Sequence, residues 1–405
     1  MGIVKRFEVN ALFFVGLALL SCGAKGARRG LVNNVATVFD VTKHGAIADA
    51  QTDCAMTWNA ACAATGSVTV LIPPGKYLTG EVYFQGPCTS SITVEMQGTI
   101  LAQTDLSMFE DNQWFSIENN DGLIIKGGGT FNGQGEKSWQ HDACGGKASC
   151  NNLLTPSLVF SNVSNSILQD ITSVNSKGFH MKINYCHNFT AHNINIIAPG
   201  DSPNTDGIHI SDSDLITIAD STIGTGDDCI SVGEGSTNVA ISGITCGPGH
   251  GISIGSLGLR QDDADVKGVT VTNCTLTNTT NGARIKTWHG STPIQASGIV
   301  YDNIVMNNVR SPIFIDQNYG SKQKQGSSSV KISDVHFKNI RGTTVTNEAV
   351  ALYCSATAPC EGIELVDIDL TFIGVTSKIA LPYSGACQNV KPTFVGKQNP
   401  SPCTL

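Results

Sequence analysis

Short runs in which apolar and polar residues alternate recur along most of this chain and are its dominant pattern. Each run places aliphatic or β-branched side chains at every second position, with polar residues between them. The clearest copies span residues 166–171, 188–194, 215–218, 238–244, 268–274, 297–304, 329–335 and 362–368. Alternation with a period of two is typical of half-buried strands and excludes a helical repeat. The pattern therefore predicts an all-β protein built from repeats.

The distance between successive runs decides which repeat architecture fits. It drifts between roughly 22 and 33 residues, whereas a propeller blade needs about 40 or more. A coil of short strands fits better, so the predicted fold is a right-handed, single-stranded parallel β-helix. The two ends of such a solenoid expose strand edges that need covering. A first strand at 39–46 and a short N-terminal capping helix at 53–64 are predicted from their residue patterns.

The chain ahead of these repeats has the features of a secretory signal. Lys5 and Arg6 precede an apolar run at 11–20 and small residues at 21–23. The apolar run is too short to span a bilayer of about 30 Å, although Leu20-Ser21-Cys22 would also suit a bacterial lipoprotein anchor. We expect a signal peptide at 1–23, one β-helix domain at 24–405, a secreted protein and no membrane partner.

Cysteine usage and glycosylation sequons fit export. Loss of Cys22 from the 14 cysteines leaves an odd number, so at least one thiol is free or pairs unexpectedly. Closeness in sequence favours bridges Cys229–Cys246, Cys354–Cys360 and Cys387–Cys403, and the chain has no Cys-x-x-Cys pair for zinc. Sequons at four asparagines favour a eukaryotic glycoprotein over the lipoprotein alternative: Asn162, Asn188, Asn273 and Asn278.

Charged residues make up only 14% of the chain, yet several of them gather in one stretch. The overall charge of −8 repels nucleic acid, so no nucleic-acid partner is expected. The clusters are Asn204-Thr205-Asp206, Gly226-Asp227-Asp228, Gly249-His250-Gly251 and Arg284-Ile285-Lys286. Carboxylates beside cations suit cleavage of an acidic sugar polymer. The carboxylates would do the acid–base chemistry, and the cations would hold the carboxylate of the sugar.

The spacing of these clusters predicts that they meet. Equivalent positions on successive turns of a parallel coil lie about 4.8 Å apart. Asp206, Asp227, His250 and Arg284 follow one another by about one repeat, which predicts a ladder on one face. Asp227 and Asp228 can both line a cleft only where the backbone turns, and their repulsion should raise the pKa of one carboxyl. A calcium site or solvated turn aspartates are the alternative interpretation.

In order and spacing, the four clusters resemble the motifs of the polygalacturonase family of glycoside hydrolases. The stretches 247–258 and 282–288 look like plant members, and 389–400 is similar to pollen-type exopolygalacturonases. The resemblance implies a parallel β-helix that hydrolyses α-1,4-linked galacturonan with inversion, exo-acting, without a metal or other cofactor. We expect a monomer in the extracellular cell wall.

The resemblance also implies a role for each site residue. Asp227 would be the general acid, Asp206 and Asp228 would activate water, and His250 would assist the acid or position the sugar. Substrate binding would fall to Arg284, Lys286, Asn204 and Tyr319. In an inverting enzyme the acid and base lie about 6.5–9.5 Å apart.

Two features depart from the family pattern. Gly320 follows Tyr319 where plant members usually carry a cysteine, and Ala48-Asp49-Ala50 replaces Gly-Asp-Gly. Neither departure affects the catalytic set. The alternatives that remain are an endo-acting polygalacturonase, a calcium-dependent pectate lyase, which the three aspartates and His250 argue against, and a non-catalytic wall-binding protein.

Overall fold

A computed structural model describes residues 37–54, 58–141, 154–290, 292–320, 327–374 and 383–403. Within these ranges the chain forms 32 β-strands, one short α-helix and four 3-10 helices. No helix in the described ranges has the length and apolar character needed to cross a membrane. The predicted signal peptide at 1–23 lies outside the described residues.

The strands are short at first and lengthen toward the C-terminus. In chain order they are β1 Thr37–Asp40, β2 Asp49–Asp53, β3 Val68–Ile72, β4 Lys76–Thr79, β5 Val82–Gln85, β6 Ile92–Met96, β7 Thr99–Ala102, β8 Phe115–Glu118, β9 Ile124–Lys126, β10 Thr130–Asn132, β11 Leu158–Ser161, β12 Ser164–Gln169, β13 Thr172–Val174, β14 Met181–Asn184, β15 His187–His192, β16 Asn195–Ile197, β17 Ile208–Ser211, β18 Asp214–Ala219, β19 Thr222–Gly224, β20 Ile230–Val232, β21 Thr237–Ser242, β22 Thr245–Cys246, β23 Ile252–Leu257, β24 Val266–Thr277, β25 Asn281–Trp288, β26 Gln295–Val309, β27 Ser311–Tyr319, β28 Lys331–Thr344, β29 Glu348–Tyr353, β30 Glu361–Phe372, β31 Ser384–Gln388 and β32 Thr393–Asn399. The α-helix is α1, Trp58–Ala63, and the 3-10 helices span Val41–His44, Leu106–Met108, Gly135–Lys137 and Trp139–His141.

These strands form two long sheets, and each coil contributes to both. The second sheet has 11 strands, β5, β8, β11, β14, β17, β20, β23, β25, β27, β29 and β31, and the first sheet contains the other 21. The strand pairs are parallel, and each strand pairs with its counterparts one coil earlier and one coil later. The predicted right-handed parallel β-helix is therefore confirmed.

The core is a set of apolar columns inside the coil, formed because inward side chains stack in register. Phe189 pairs with Ile216, Ile216 with Val239, and Val239 with Val269. All four side chains are buried. The column continues through Ile299, Val335 and Ile363. The alternating runs of the sequence are thus the strands of the first sheet, as predicted.

Asparagines stack on the outside of the coil at exposed positions. Asn162, Asn188, Asn273 and Asn278 have φ between 51° and 57°, a left-handed conformation that asparagine tolerates better than most residues. Each shares a hydrogen bond of 2.7–2.8 Å with an asparagine of a neighbouring coil: Asn119, Asn165, Asn303 and Asn308, respectively. The four predicted glycosylation sequons therefore all begin at exposed positions, two of which lie within β15 and β24.

The N-terminal end differs in detail from the prediction. The strand predicted at 39–46 ends at Asp40, because the Asp40 carboxylate accepts a 3.0 Å bond from the Thr42 backbone N–H and starts a 3-10 turn. The helix predicted at 53–64 is α1, which is shorter. Asp53 belongs to β2, and its side chain binds the backbone N–H of Gly80. Helix α1 lies against β5, the first strand of the second sheet.

Disulfides form where the sequence suggested. The structure contains Cys229–Cys246, Cys354–Cys360 and Cys387–Cys403, and a further bridge, Cys62–Cys88, ties α1 to the coil. Within the described ranges three cysteines are free, and all three are buried: Cys54, Cys186 and Cys274. Burial raises the pKa of the Cys186 and Cys274 thiols to about 11. These two thiols are therefore protonated and unreactive.

The apolar column gives a direct stability prediction. Ile216→Ala removes a fully buried side chain and should lower the free energy of unfolding by about 2–5 kcal/mol. Its neighbour Leu215 is 47% exposed, so Leu215→Ala should change it by less than about 0.5 kcal/mol. Chemical denaturation of both variants measures the difference. Equal destabilisation would contradict the inward stacking.

Candidate active site

The four chemical clusters lie along the edge at which the chain enters the second sheet. Asp206 precedes β17, the pair Asp227 and Asp228 precedes β20, and His250 precedes β23. Arg284 and Lys286 lie within β25. Since β17, β20, β23 and β25 pair successively, four neighbouring coils contribute to one site. The predicted meeting of these residues is confirmed.

The strand register shows that two members of the predicted ladder, Asp227 and Arg284, do not lie in the same row as Asp206 and His250. Ile208, Ile230, Ile252 and Ala283 are paired neighbours. The residues two positions before the first three are Asp206, Asp228 and His250, so Asp228 rather than Asp227 shares their row. Arg284 lies one position beyond Ala283 and belongs to a second row, with His209, Ser231 and Ser253.

Asp227 lies outside the first row because the backbone bends at this pair, as predicted. Residues 225–229 connect β19 to β20 without strand structure. A Cβ on Gly226 would lie 2.0 Å from the backbone oxygen of Ser202, so only glycine lets the two coils approach this closely. The bend directs the carboxylate of Asp227 back onto its own chain, where Oδ1 accepts a 2.8 Å bond from the Asp228 N–H.

A buried ion cluster lies at the centre of the site. The side chain of Asp228 has no exposed surface. Its Oδ1 is 2.9 Å from Arg284 Nη2, and its Oδ2 is 2.6 Å from Lys286 Nζ. Ser253 donates a further 2.9 Å bond to Oδ1. Burial alone would lower the pKa of both cations. The negative charge of Asp228 outweighs this effect, so the pKa values of Arg284 and Lys286 are raised. Removing one partner of a buried pair costs about 3–5 kcal/mol, so the three residues depend on one another.

Asp227 pairs with His250. Asp227 Oδ1 and His250 Nδ1 are 2.8 Å apart. In addition, the backbone N–H of His250 donates to the backbone carbonyl of Asp227 at 2.8 Å. Gly249 and Gly251, with φ of 152° and 85°, let the histidine loop come this close. Burial would raise the pKa of the Asp227 carboxyl, but the bond from His250 and the nearby cations outweigh it, and the pKa is lowered.

Asp206 has the opposite shift. It is almost fully buried, and its Oδ2 accepts a 2.8 Å bond from Ser231 Oγ. Burial and the charges of Asp227 and Asp228 raise its pKa well above the usual range. The sequence predicted that repulsion between Asp227 and Asp228 would raise the pKa of one of these two carboxyls. This prediction is wrong for Asp227, whose pKa is lowered, and the carboxyl with the raised pKa is Asp206, chiefly because it is buried.

The remaining predicted binding residues lie at the rim. Asn204 occupies the turn two residues before Asp206, with a left-handed φ of 51°. Tyr319, at the end of β27, has its ring centroid 5.2 Å from Lys286 Nζ and 5.0 Å from the ring of Trp288. A Cβ on Gly320 would lie 2.0 Å from the Trp288 ring, so here the tryptophan fills the space that a cysteine at this position would need.

Three residues of the site were missed by the sequence analysis. His209, Ser231 and Ser253 lie between the carboxylates and Arg284 and hydrogen-bond to them directly or through one another. Their only sequence signal was a spacing of about one repeat, which they share with many ordinary strand residues.

A metal fits this donor set poorly. Asp227, Asp228 and His250 each bring one possible ligand atom within 4.8 Å of the others. Both oxygens of Asp228, however, already contact Arg284 and Lys286. A divalent cation there would lie beside two fixed positive charges, which repel it.

Comparison with known proteins places this site in a family. Residues 62–399 match the model of glycosyl hydrolases family 28. An exopolygalacturonase from Arabidopsis thaliana is 46% identical, over 97% of this chain and 95% of its own length. A polygalacturonase from Gossypium barbadense is also 46% identical, over 90% of each chain.

Among solved structures, the endo-xylogalacturonan hydrolase from Aspergillus tubingensis has a similar fold. Its TM-score is 0.73, with 24% identity over 89% of this chain and 100% of that one. At that identity the likeness concerns the fold alone. The family match and the relatives at 46% identity extend over most of the sequence, including every site residue described above. The chain belongs to family 28 of the glycosyl hydrolases.

Proposed function

We propose that this protein hydrolyses the α-1,4 linkages of polygalacturonan with inversion, releasing galacturonate from the chain end. The observation that carries the proposal is the grouping of Asp206 and Asp227 around the buried cluster of Asp228, Arg284 and Lys286. Acid, base and cations are the groups that hydrolysis of an acidic glycoside needs. The name of the Arabidopsis thaliana relative supports both the substrate and the exo-action.

The exposure of the three carboxylates separates their proposed roles. The Asp227 side chain is 25% exposed, so it can protonate the leaving glycosidic oxygen. Asp206, held by Ser231, takes the proton of the attacking water. Asp228 was predicted to share this task, but its oxygens are fully engaged with Arg284 and Lys286. We assign it the fixing of these two cations.

The cations then recognise the substrate. Arg284 uses Nε and Nη2 for Ser253 and Asp228, and the guanidinium has further N–H donors for a galacturonate carboxylate. Lys286 similarly spends one of its three donors on Asp228 and lies beneath the ring of Tyr319. Local positive charge thus opposes the acidic surface of the whole protein. His250 fixes the orientation of Asp227, and Asn204 contributes to the rim.

Substrate binding supplies the protonation state that this mechanism needs. In the free enzyme the pKa of Asp227 is lowered and that of Asp206 is raised, so Asp227 ionises before Asp206, the reverse of the order that an acid and a base need. An incoming polyanion adds negative charge beside Asp227 and excludes water from it. Both effects raise the pKa of that carboxyl. We infer that Asp227 takes up its proton as the substrate binds.

The fold also supports exo-action. Two coils before Asp206, the connection 133–157 between β10 and β11 is far longer than the next one, 175–180. Trp139 Nε1 donates to the Ser176 carbonyl at 3.0 Å, and Lys177 donates to the Gly133 carbonyl. The start of the long connection is therefore fastened at the N-terminal end of the site. A connection of this length beside the site suits an enzyme that admits a chain terminus, the mode of attack named for the Arabidopsis thaliana relative.

The setting follows from the same features. Four disulfides in the described ranges support an oxidising, extracellular location such as the cell wall. N-terminal sequencing of the secreted protein would test whether the signal peptide is cleaved after residue 23. We propose a monomer that needs neither a membrane nor nucleic acid. The calcium-dependent lyase is not favoured, because the cations beside Asp228 repel a metal. A non-catalytic role leaves the carboxylate arrangement unexplained.

Asp227→Asn should abolish the release of reducing ends while leaving polygalacturonan binding intact. Loss of general acid catalysis should lower kcat by about 10²–10⁴-fold. Asp220→Asn, at an exposed position of the same coil, is the matched control and should retain full activity. Reducing-end assays and equilibrium binding measure the two properties. Unchanged turnover in Asp227→Asn would refute the acid assignment.

The pH dependence should differ between the free enzyme and its complex. In the free enzyme the pKa of Asp227 lies below that of Asp206, so Asp227, which must be protonated for activity, sets the acidic limb. The bound polyanion raises the pKa of Asp227. The acidic limb of kcat should therefore lie at higher pH than that of kcat/KM, by about one unit. Coinciding limbs would show that substrate does not protonate Asp227.

Products formed from long polygalacturonan test the mode of attack. An exo-acting enzyme should release galacturonate monomer from the first minutes, with only a slow fall in solution viscosity. Chromatography of the early products gives the answer. A ladder of oligomers with a rapid loss of viscosity would show endo-action.

A further inference from the structure

The second row of the site contains two serines between two larger hydrogen-bond donors. His209, Ser231, Ser253 and Arg284 are paired neighbours on successive strands of the second sheet. At one end, Arg284 Nε donates to Ser253 Oγ at 3.0 Å, and Ser253 donates to Asp228 Oδ1 at 2.9 Å. Because Ser253 accepts the bond from Arg284, its single hydroxyl hydrogen points away from Arg284 and toward the Asp228 carboxylate. The serine therefore links the cation to the carboxylate by two hydrogen bonds.

The other end repeats this arrangement with a histidine. Ser231 Oγ donates to Asp206 Oδ2 at 2.8 Å, and His209 Nδ1 is 2.8 Å from the same Oγ. A serine hydroxyl has one hydrogen, which Ser231 gives to Asp206. His209 must then be the donor, with its hydrogen on Nδ1.

We propose that His209 is a positioning residue that acts through Ser231. By donating to Ser231 Oγ, it holds the serine hydrogen toward Asp206 and stabilises the ionised carboxylate that accepts a proton from water. This inference rests on the proposed role of Asp206 as the base. The imidazole itself neither touches the reacting atoms nor changes its charge.

The charges around both residues agree with this role. Asp206 faces Asp227, Asp228 and Lys286, and both aspartates raise its pKa. His209 faces Lys182, Lys286 and Arg260. Burial and these cations lower its pKa to about 3, so it stays neutral in mildly acidic solution. A neutral donor, unlike a charged one, has the same effect on Asp206 across the working pH range.

The relay consists of the hydrogen bond from His209 to Ser231 and the one from Ser231 to Asp206. Loss of this relay should raise the pKa of Asp206 further. In the free enzyme the pKa of Asp206 lies above that of Asp227, so Asp206 sets the basic limb of kcat/KM, and that limb should move to higher pH. A hydrogen bond to a charged group corresponds to a shift of about one unit or more. Ser231→Ala and His209→Leu should each show this shift, with about tenfold lower kcat/KM on the acidic side of this limb and much smaller losses above it.

The conservative variant separates positioning from packing. His209 also packs against Phe179, with ring centroids 5.2 Å apart, so a purely structural role is the competing explanation. The amide nitrogen of asparagine can occupy the place of Nδ1 and donate to Ser231, but asparagine fills less space. His209→Asn should therefore restore the limb to within about 0.3 units of the parent. A structural role predicts that it behaves no better than His209→Leu.

Direct titration keeps this test separate from the proposed function. Carboxyl ¹³C NMR of the full chain, with Asp206 assigned through Asp206→Asn, gives its pKa without any turnover. An upward shift in Ser231→Ala and His209→Leu, absent in His209→Asn, supports the relay. An unchanged Asp206 pKa in Ser231→Ala overturns it. If Ser231→Ala does not fold, Ser231→Cys, a weaker donor of similar shape, should give a smaller shift in the same direction. Failure of the parent to hydrolyse polygalacturonan would instead defeat the proposed function.

Discussion

In-register stacking of parallel strands is the constraint on which everything else in this molecule depends. Because Ile208, Ile230, Ile252 and Ala283 are paired neighbours, residues far apart in sequence occupy adjacent positions on one edge. The apolar column inside the coil fixes that register, since a slip of one residue would turn buried side chains outward. The register that the core fixes therefore also brings the charges of the site together, and no separate scaffold is needed.

The buried cluster of Asp228, Arg284 and Lys286 converts this geometry into chemistry. Its two cations share one carboxylate, so the cluster keeps net positive charge in a protein of overall charge −8. That charge attracts a uronate and lowers the pKa of Asp227, while deeper burial and its carboxylate neighbours raise the pKa of Asp206. Two carboxyls on neighbouring coils thus acquire different properties from their surroundings alone. The serines of the second row extend the same control to hydrogen-bond direction.

Much of this could be predicted from the sequence, and the errors have physical causes. Alternating runs predicted the strands of the first sheet because stacked coils impose both the period and the alternation. The four clusters were correctly expected to meet, but counting residues cannot locate a bend. The turn at Gly226 moved Asp227 out of the first row, and the longer repeat before Arg284 placed it in the second. Asp40 ended the first strand through a side-chain bond that no periodicity reveals. His209 and Ser231 resembled ordinary strand residues, because their proposed role depends on the direction of the hydrogen bonds that join them to Asp206.

The stereochemistry of the first released sugar tests most directly whether Asp227 and Asp206 act as acid and base on opposite sides of the bond. Proton NMR of a digest at high enzyme concentration reports the anomer before mutarotation mixes the two forms. Attack by water activated at Asp206 should give β-galacturonate first, from an α-linkage. Initial release of the α-anomer would require a covalent intermediate on one carboxylate and would contradict the arrangement described here.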